Sequence, residues 1–572
     1  MPILHKVAAV QFEPTMFEKD RNITGLIGLV TEAAKAGARL IVTPEMGTTG
    51  YCWFDRAEVA PFVETVPGAT TACFETVART HDCYIVIGMP EVEPSSGLYY
   101  NTAVLIGPEG VIGKHRKTHP YIAEPKWSAP GNLGHQVFET PIGRIALLIC
   151  MDIHFIETAR IVALKGADVI CHVSNWLAER TPAPYWISRA FENGCYLIES
   201  NRWGLERTVQ FSGGSCVIEP DGSIAAVIDA GDGIAYATID LELARDPSVL
   251  GRRVLEQRRP DLYKELPTTT YAWNPLDFFG LYAHRPLPPG RKSRVAVAQF
   301  SPTDDVGENL ARIEEMVVAA TRDRDADLIV FPERSITGLG QGLAESLSGP
   351  AVERLLSIAA RENIYIVAGM AESADGRVHN TAVLAGPEGL IGSYRQIHPT
   401  SEDRNWATPG EDWRVFDTPL GRLGLLIGHD AMFPEAARIL SLRGCDLIAC
   451  PAAMRERFYA SHPGSAIHQN YPIPTGATPD HWHHFRVRAG ENNVFFAFAN
   501  IADELNGFPG RSGIFGPDTF EFPRREAHAG PGTSLASVNI DTSNLDTRYP
   551  TNVVRRKDMM AMRLPHHYLD LI

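Results

Sequence analysis

"NTAVLIGPEGVIGKHRKTHP", Asn101 to Pro120, returns as "NTAVLAGPEGLIGSYRQIHP", Asn380 to Pro399, with 14 of 20 positions identical. Working outward, "ARLIVTPEMGTTGY" at Ala38 is answered by "ADLIVFPERSITGL" at Ala326, and "VAAVQFEP" at Val7 by "VAVAQFSP" at Val295. "ETPIGRIALLICMDIHFIE" at Glu139 is answered by "DTPLGRLGLLIGHDAMFPE" at Asp417. The period is roughly 280 residues, far beyond the roughly 20 to 50 of a solenoid, so the chain is a duplicated domain and each half makes one complete fold. Its 572 residues accommodate two such domains. The first is expected at residues 1–265 and the second at 293–572, joined by a linker at 266–292 where Pro and Gly accumulate and no period persists. The linker's aromatics suggest a segment packed along a surface rather than a free tether.

Composition narrows the class. At 44% hydrophobic and 21% charged residues the chain reads as globular. A formal net charge of -15, with no basic run longer than "GRRVLEQRRP", excludes a phosphate-backbone binder, so no nucleic-acid partner is expected. Nine cysteines without a CxxC pair suit a reducing compartment, and all but Cys150 are expected to be small buried hydrophobes. The opening "MPILHKVAAVQFEP" lacks a secretory apolar region and no run approaches about 18 uninterrupted apolar residues. The expectation is a cytoplasmic protein without membrane association.

Within each half, short β-branched runs ("RLIVTPE", "YIVIGM", "IALLIC", "DVICHVS") alternate with helical patterns such as "RNITGLIGLVTEAAKAGA" and "IETARIVALKGA", whose glycines, Gly37 and Gly166, sit where a helix ends. Continuous apolar strands call for sheets covered by helices. The α/β class follows. A four-layer α-β-β-α sandwich fits these signals, and a plain doubly wound sheet would give similar ones.

Three strands end in a reactive side chain. Glu45 follows "RLIVTP", Lys117 follows "NTAVLIGPEGVIGKHR", and Cys150 closes "RIALLIC". Strand ends are where α/β folds expose side chains to ligands. In their order with "VAAVQFEP", "HRKTHP", "LLICMD", "RAFEN" and "RRPDLY", these residues resemble the signature of the nitrilase superfamily of carbon-nitrogen hydrolases, and the resemblance spans both halves. It implies two tandem α-β-β-α four-layer sandwiches, no metal or other cofactor, and a catalytic Glu-Lys-Cys triad at Glu45, Lys117 and Cys150. It also implies a second glutamate, Glu124, in "KTHPYIAEPKW".

The chemistry uses these residue types for definite reasons. A thiol with a pKa near 8.5 is mostly protonated at neutral pH, so attack on an amide or nitrile carbon wants a base and a cation beside it. Glu45 is the expected base, first for the thiol and later for water. Lys117 and the backbone N–H after Cys150 are the expected oxyanion donors, and Glu124 would position Lys117 or the substrate nitrogen. "RAFEN" at Arg189 recurs as "RAGEN" at Arg488 and reads as structural, an ion pair or cap, while Ser212–Ser215 reads as an ordinary turn rather than a phosphate loop.

Aligning the halves puts Glu333 on Glu45, Gln396 on Lys117 and Gly428 on Cys150. The second half is therefore expected to be catalytically inactive. Superfamily members pair through the helix after the cysteine, which implies an intrachain pseudo-dimer with Ile153–Gly166 against Ala431–Gly444. The second half also carries an insertion of roughly 20 residues within Ala460–Phe485. Its histidines (His462, His468, His481, His483 and His484) lack strong metal-ligand spacing. A Pro-rich aromatic loop is expected, shaping the mouth of the Cys150 site.

Cys150-Met151-Asp152 departs from the Cys-Trp-Glu of most nitrilases and lacks the arginines that follow in carbamoyl hydrolases. An amidase is favoured, with nitrilase or N-carbamoyl amide hydrolase as alternatives. Tyr51, Trp53, Trp127, Trp176 and Trp203, expected on loops, together with Met151, are candidates to line the substrate pocket.

Overall fold

Strand alternation sets the layers. On Leu4–Gln11, Ala8 and Val10 pack with Leu26, Val30 and Phe74 of helices Lys19–Lys35 and Ala69–His81, which leaves the equally buried Val7 and Ala9 on the opposite face. On Gly143–Ile149, Ala146 and Leu148 meet Ala159 and Val162 of helix Ile156–Leu164, leaving Ile145, Leu147 and Ile149 on the other face. The unassigned faces meet each other, so helices cover two sheets stacked face to face.

The structure, a computed structural model, describes residues 3–177, 179–246, 254–268, 288–340, 342–469, 478–517, 525–543 and 558–572. Most of the linker expected at 266–292 lies outside the described residues. Two compact units emerge, neither of them one continuous stretch. The first gathers Met1–Glu256, Tyr459–His484 and Leu564–Leu571; the second gathers Gln257–Phe458, Phe485–Arg563 and Ile572.

In the first unit one six-stranded sheet runs Gly233–Asp240, Leu4–Gln11, Leu40–Val42, Tyr84–Val92, Tyr99–Gly107, Gly110–Arg116. The other runs Ile224–Val227, Cys216–Ile218, Tyr196–Asn201, Val169–Ser174, Gly143–Ile149, Val137–Thr140. Helix Pro184–Asn193 joins Ile156–Leu164 over the second sheet. Gly37 (φ 90°) and Gly166 (φ 84°) sit two residues beyond the ends of their helices in the left-handed conformation that ends a helix.

The second unit repeats the pattern, with sheets built around Lys292–Ala298 and around Leu447–Ala452. Helices Val306–Arg324 and Pro350–Glu362 cover the former through Leu310, Ile313, Val352 and Leu355. Each half is thus the expected α-β-β-α sandwich. Among the described residues no helix is long and apolar enough to cross a membrane.

Candidate active site

Glu45 sits in a turn just past strand Leu40–Val42, and that turn lies hard against Gly88 of the neighbouring strand. A Cβ at Gly88 would stand 2.6 Å from the Met46 nitrogen and 2.7 Å from the Glu45 Cα. Lys117 follows strand Gly110–Arg116 directly, its N–H bonded to the Asn101 carbonyl at 2.8 Å. Cys150 ends strand Gly143–Ile149 at φ 43°, an elbow that a β-carbon residue rarely adopts, and opens the 3-10 turn Cys150–His154.

These three strand ends, with Glu124 on the 3-10 turn Glu124–Lys126, bring the four expected catalytic residues together. Lys117 Nζ donates to Glu45 Oε1 at 2.9 Å and to Glu124 Oε2 at 2.5 Å. Asn101 Nδ2 donates to the same two carboxylates, at 2.6 Å and 2.7 Å. Glu45, Lys117 and Glu124 are all buried. Burial alone would neutralise Lys117, but Glu124 and Glu45 hold its ammonium well above the usual lysine range. Burial pushes the Glu45 carboxyl up, only partly offset by Lys117. The Cys150 thiol is driven well up by burial and by Glu45, with Lys117 opposing. Two carboxylates facing one ammonium already leave a net negative charge, so a resting thiolate would add a second to a dry site.

Several supporting residues escaped the sequence reading. Asn101 is one, inside the repeated "NTAV". Asp152 is another: its carboxylate accepts from the N–H of Ile149, just before Cys150, and from the N–H groups of Thr118 and His119, just after Lys117. With His115 and His119 also bonded to it, burial is overcome and Asp152 lies well below the usual carboxylate range. His172 bonds the Cys150 carbonyl through Nε2 at 3.1 Å and Glu199 through Nδ1. Asn175 bonds the Glu45 carbonyl through Nδ2 at 3.1 Å, while its backbone N–H reaches the thiol. "RAFEN" works as an ion pair: Arg189 bonds Glu192 at 2.6 Å and the Ile153 carbonyl at 2.9 Å, bracing the segment after the elbow.

Of the substrate-pocket candidates, Tyr51 faces the site. Its ring lies 5.7 Å from Lys117 Nζ, and burial followed by Glu124 and Glu45 raises its phenol well above the usual range. Met151 is half-buried beside the elbow. Trp127 packs in the cluster of Met46, Tyr51, Trp53 and Phe211. Trp53 is held by Phe17 and Phe62, with Nε1 on the Gly50 carbonyl. Trp176 stacks on His154 at 4.6 Å and bonds Glu179. Trp203 stands on strand Trp203–Glu206 rather than a loop, because that strand pairs with Val209–Ser212 in a hairpin.

The insertion forms strands Tyr459–His462 and Thr478–His483, with residues 470–477 outside the described set. Both strands belong to the first unit. Ser465 Oγ donates to the Ser212 carbonyl at 2.8 Å, His481 Nε2 bonds the Pro182 carbonyl at 2.7 Å, and Trp482 Nε1 donates to Ser188 at 2.9 Å. No group of three or more side chains that could hold a metal ion occurs among the described residues.

In the second unit Asn380 Nδ2 bonds Glu333 Oε1 at 2.6 Å and Gln396 Oε1 at 3.0 Å, where the first unit has its ammonium. Gly428 keeps the left-handed elbow at φ 36°. Without the cation, burial raises the Glu333 carboxyl to about 8.

Both halves match the family model described as carbon-nitrogen hydrolase, over residues 6–246 and 294–540. A protein of Pyrococcus abyssi called a nitrilase is 38% identical over 261 residues, covering 45% of this chain and 98% of its own. An omega-amidase NIT2 of Bos taurus is 30% identical over 274 residues, covering 45% and 96%. Among solved structures, a carbon-nitrogen hydrolase from Helicobacter pylori G27 is 26% identical, with a TM-score of 0.41, covering 46% of this chain and 98% of its own. With the family's model matched twice along its length, this chain belongs to the carbon-nitrogen hydrolases.

Proposed function

We propose that the first unit hydrolyses an amide to a carboxylate and ammonia or an amine, through a thioester on Cys150. The observation that carries this reading is the buried network in which Lys117 and Asn101 bind both Glu45 and Glu124 beside the Cys150 elbow. Glu45 takes the thiol proton as sulfur attacks the carbonyl carbon, so no free thiolate accumulates at rest. Lys117 and the Met151 N–H receive the oxyanion. Glu45 then gives its proton to the leaving nitrogen as the carbon–nitrogen bond breaks. Water, losing a proton to Glu45, attacks the thioester; the carboxylate departs and sulfur recovers the proton. Glu124 holds Lys117 in place, and Tyr51 offers a ring wall to the substrate.

Mass spectrometry after mixing with a panel of amides, nitriles and ureido acids tests the reading. An acyl adduct on Cys150 from amides, absent in Cys150→Ala, is the expected result; turnover in Cys150→Ala refutes it. A nitrile substrate is the second reading, favoured by the 38% identical relative's being called a nitrilase. The second unit, lacking thiol and ammonium, is proposed to be inactive, and the protein is proposed to act in the cytoplasm on small molecules.

A further inference from the structure

"RRPDLY" at Arg258–Tyr263 has a counterpart near the C-terminus, "RLPHHY" at Arg563–Tyr568. Each forms a single 3-10 turn, Pro260–Leu262 or Pro565–His567, followed by a tyrosine whose N–H bonds the proline carbonyl at 3.0 Å. In the first unit Tyr568 Oη lies 2.9 Å from His119 Nε2, and His119 Nδ1 lies 3.2 Å from Asp152 Oδ1. In the second unit Tyr263 Oη lies 2.7 Å from His398 Nε2, and His398 Nδ1 lies 3.0 Å from Asp430 Oδ1. Both imidazoles stack on a phenylalanine, His119 on Phe155 at 3.8 Å and His398 on Phe433 at 3.9 Å.

We propose that Tyr568, acting through His119 and Asp152, is a positioning residue that holds the Cys150 elbow and Lys117 in register. This rests on the reading of Cys150 as the nucleophile. Asp152 is the clamp: Oδ2 takes the Ile149 N–H at 3.1 Å, while Oδ1 takes the Thr118 N–H at 3.1 Å, the Thr118 hydroxyl at 2.8 Å and the His119 N–H at 2.9 Å. One carboxylate thereby joins the residue before the thiol to the residue after the ammonium. An ionised carboxylate only accepts, and the Thr118 hydroxyl, 2.8 Å from His119 Nδ1, gives its proton to Asp152, so His119 Nδ1 carries the hydrogen and Nε2 presents a lone pair. The Tyr568 hydroxyl, which accepts the Leu564 N–H at 3.1 Å, donates its proton to that lone pair and selects the tautomer. His119 is buried, so without the hydroxyl its Nε2 loses its partner in a dry site and the ring's hold on Asp152 loosens. The clamp therefore depends on the last residues of the chain, which belong to the first unit.

Iodoacetamide, itself a primary amide, is the probe, with alkylation of Cys150 followed by mass spectrometry and exposed Cys73 as internal reference. Tyr568→Phe is expected to slow alkylation of Cys150 about tenfold, the size of one lost buried hydrogen bond to a charged cluster, and to move its pH profile upward as Lys117 drifts from the thiol. Tyr263→Phe, the same change in the unit without a thiol, is expected to leave both rate and profile unchanged. In a His119→Asn background, which keeps a donor to Asp152 but loses the link to the tyrosine, Tyr568→Phe is expected to add nothing. Wild-type rate and profile in Tyr568→Phe, or an equal loss in Tyr263→Phe, overturns the positioning role alone. A Cys150 no more reactive than Cys73 in the wild type overturns the nucleophile reading, and the relay with it.

Discussion

Ala453, which follows strand Leu447–Ala452 as Asn175 follows Val169–Ser174 in the first unit, donates its backbone N–H to Glu333 Oε2 at 3.0 Å. The carboxylate of the second unit has moved into the space the sulfur would fill. A Cβ built at Gly428 stands 2.6 Å from the same Glu333 oxygen. Loss of the thiol and displacement of the base are therefore one structural event. Restoring Gly428→Cys and Gln396→Lys in a Cys150→Ala background is expected to give no amide hydrolysis. Glu333 would have to swing back, and the second unit also lacks counterparts of His172 and Glu199, since Cys450 and Phe498 stand there. Turnover by that triple variant, measured as ammonia release, would sink the account.

Glu333 carries a pH signature of its own. Its carboxyl is raised to about 8 in the folded chain, from an ordinary value near 4.5. A raised carboxyl binds its proton more tightly folded than unfolded, so its contribution is complete below the unfolded value and is lost as pH climbs through the folded one. Stability of the second unit is expected to fall between about pH 4.5 and 8, and Glu333→Gln to flatten that fall. Thermal melts across this window decide it; an unchanged slope in the variant counts against a protonated Glu333.

Lys117 is expected to matter twice. Lys117→Gln removes an oxyanion donor, worth about 10²- to 10³-fold in kcat. It also leaves Glu45 and Glu124 buried without their cation, which costs about 3–5 kcal/mol of unfolding free energy. Asn101 Nδ2 would be left as the one donor shared by the two carboxylates, whereas Asn380 in the second unit serves a single carboxylate, Glu333, and the Gln396 amide oxygen. Denaturant melts and amide turnover measured on the same preparation separate the two effects. A variant as stable as the wild type would mean that one carboxylate is already protonated at rest.

The duplication was legible as a repeat, and Glu45, Lys117 and Cys150 as reactive residues closing apolar runs. Local pattern alone left a doubly wound sheet open beside the four-layer sandwich, and Glu124, on the 3-10 turn Glu124–Lys126, stood out only through the family resemblance. Asp152 was not legible, because a carboxylate after Cys150 reads as surface charge until the fold brings the Thr118 and His119 N–H groups onto it. His172 and Glu199 lie on adjacent strands paired in register, so their contact exists only once the sheet is assembled. Trp53 lies near the site in sequence, and its ring packs against Phe17 and Phe62 in the cluster that holds Tyr51, a placement that spacing alone does not reveal. Nor could spacing reveal that residues 459–484 and 564–571 would join the first unit, since nothing local marks which sandwich a segment covers.

That insertion yields the last prediction. Ser212 is the node: its N–H and hydroxyl both donate to the Trp176 carbonyl, at 2.9 Å and 3.0 Å, and its own carbonyl accepts from Ser465 and Thr181. Trp176 follows Asn175, whose N–H reaches the thiol, and its indole bonds Glu179. The inserted segment thus braces, through one serine, the loop that leaves the catalytic strand end. A methylene more or less in a pocket shifts relative kcat/KM by about 10- to 200-fold, so a small displacement of this loop is enough to change which acyl group fits. Removing residues 463–477 is expected to shift the preference between short and branched amides by about tenfold while the acyl adduct still forms on Cys150. Substrate profiles of the deletion and the full chain, run side by side, give the answer: identical preferences would leave the insertion without a part in selectivity.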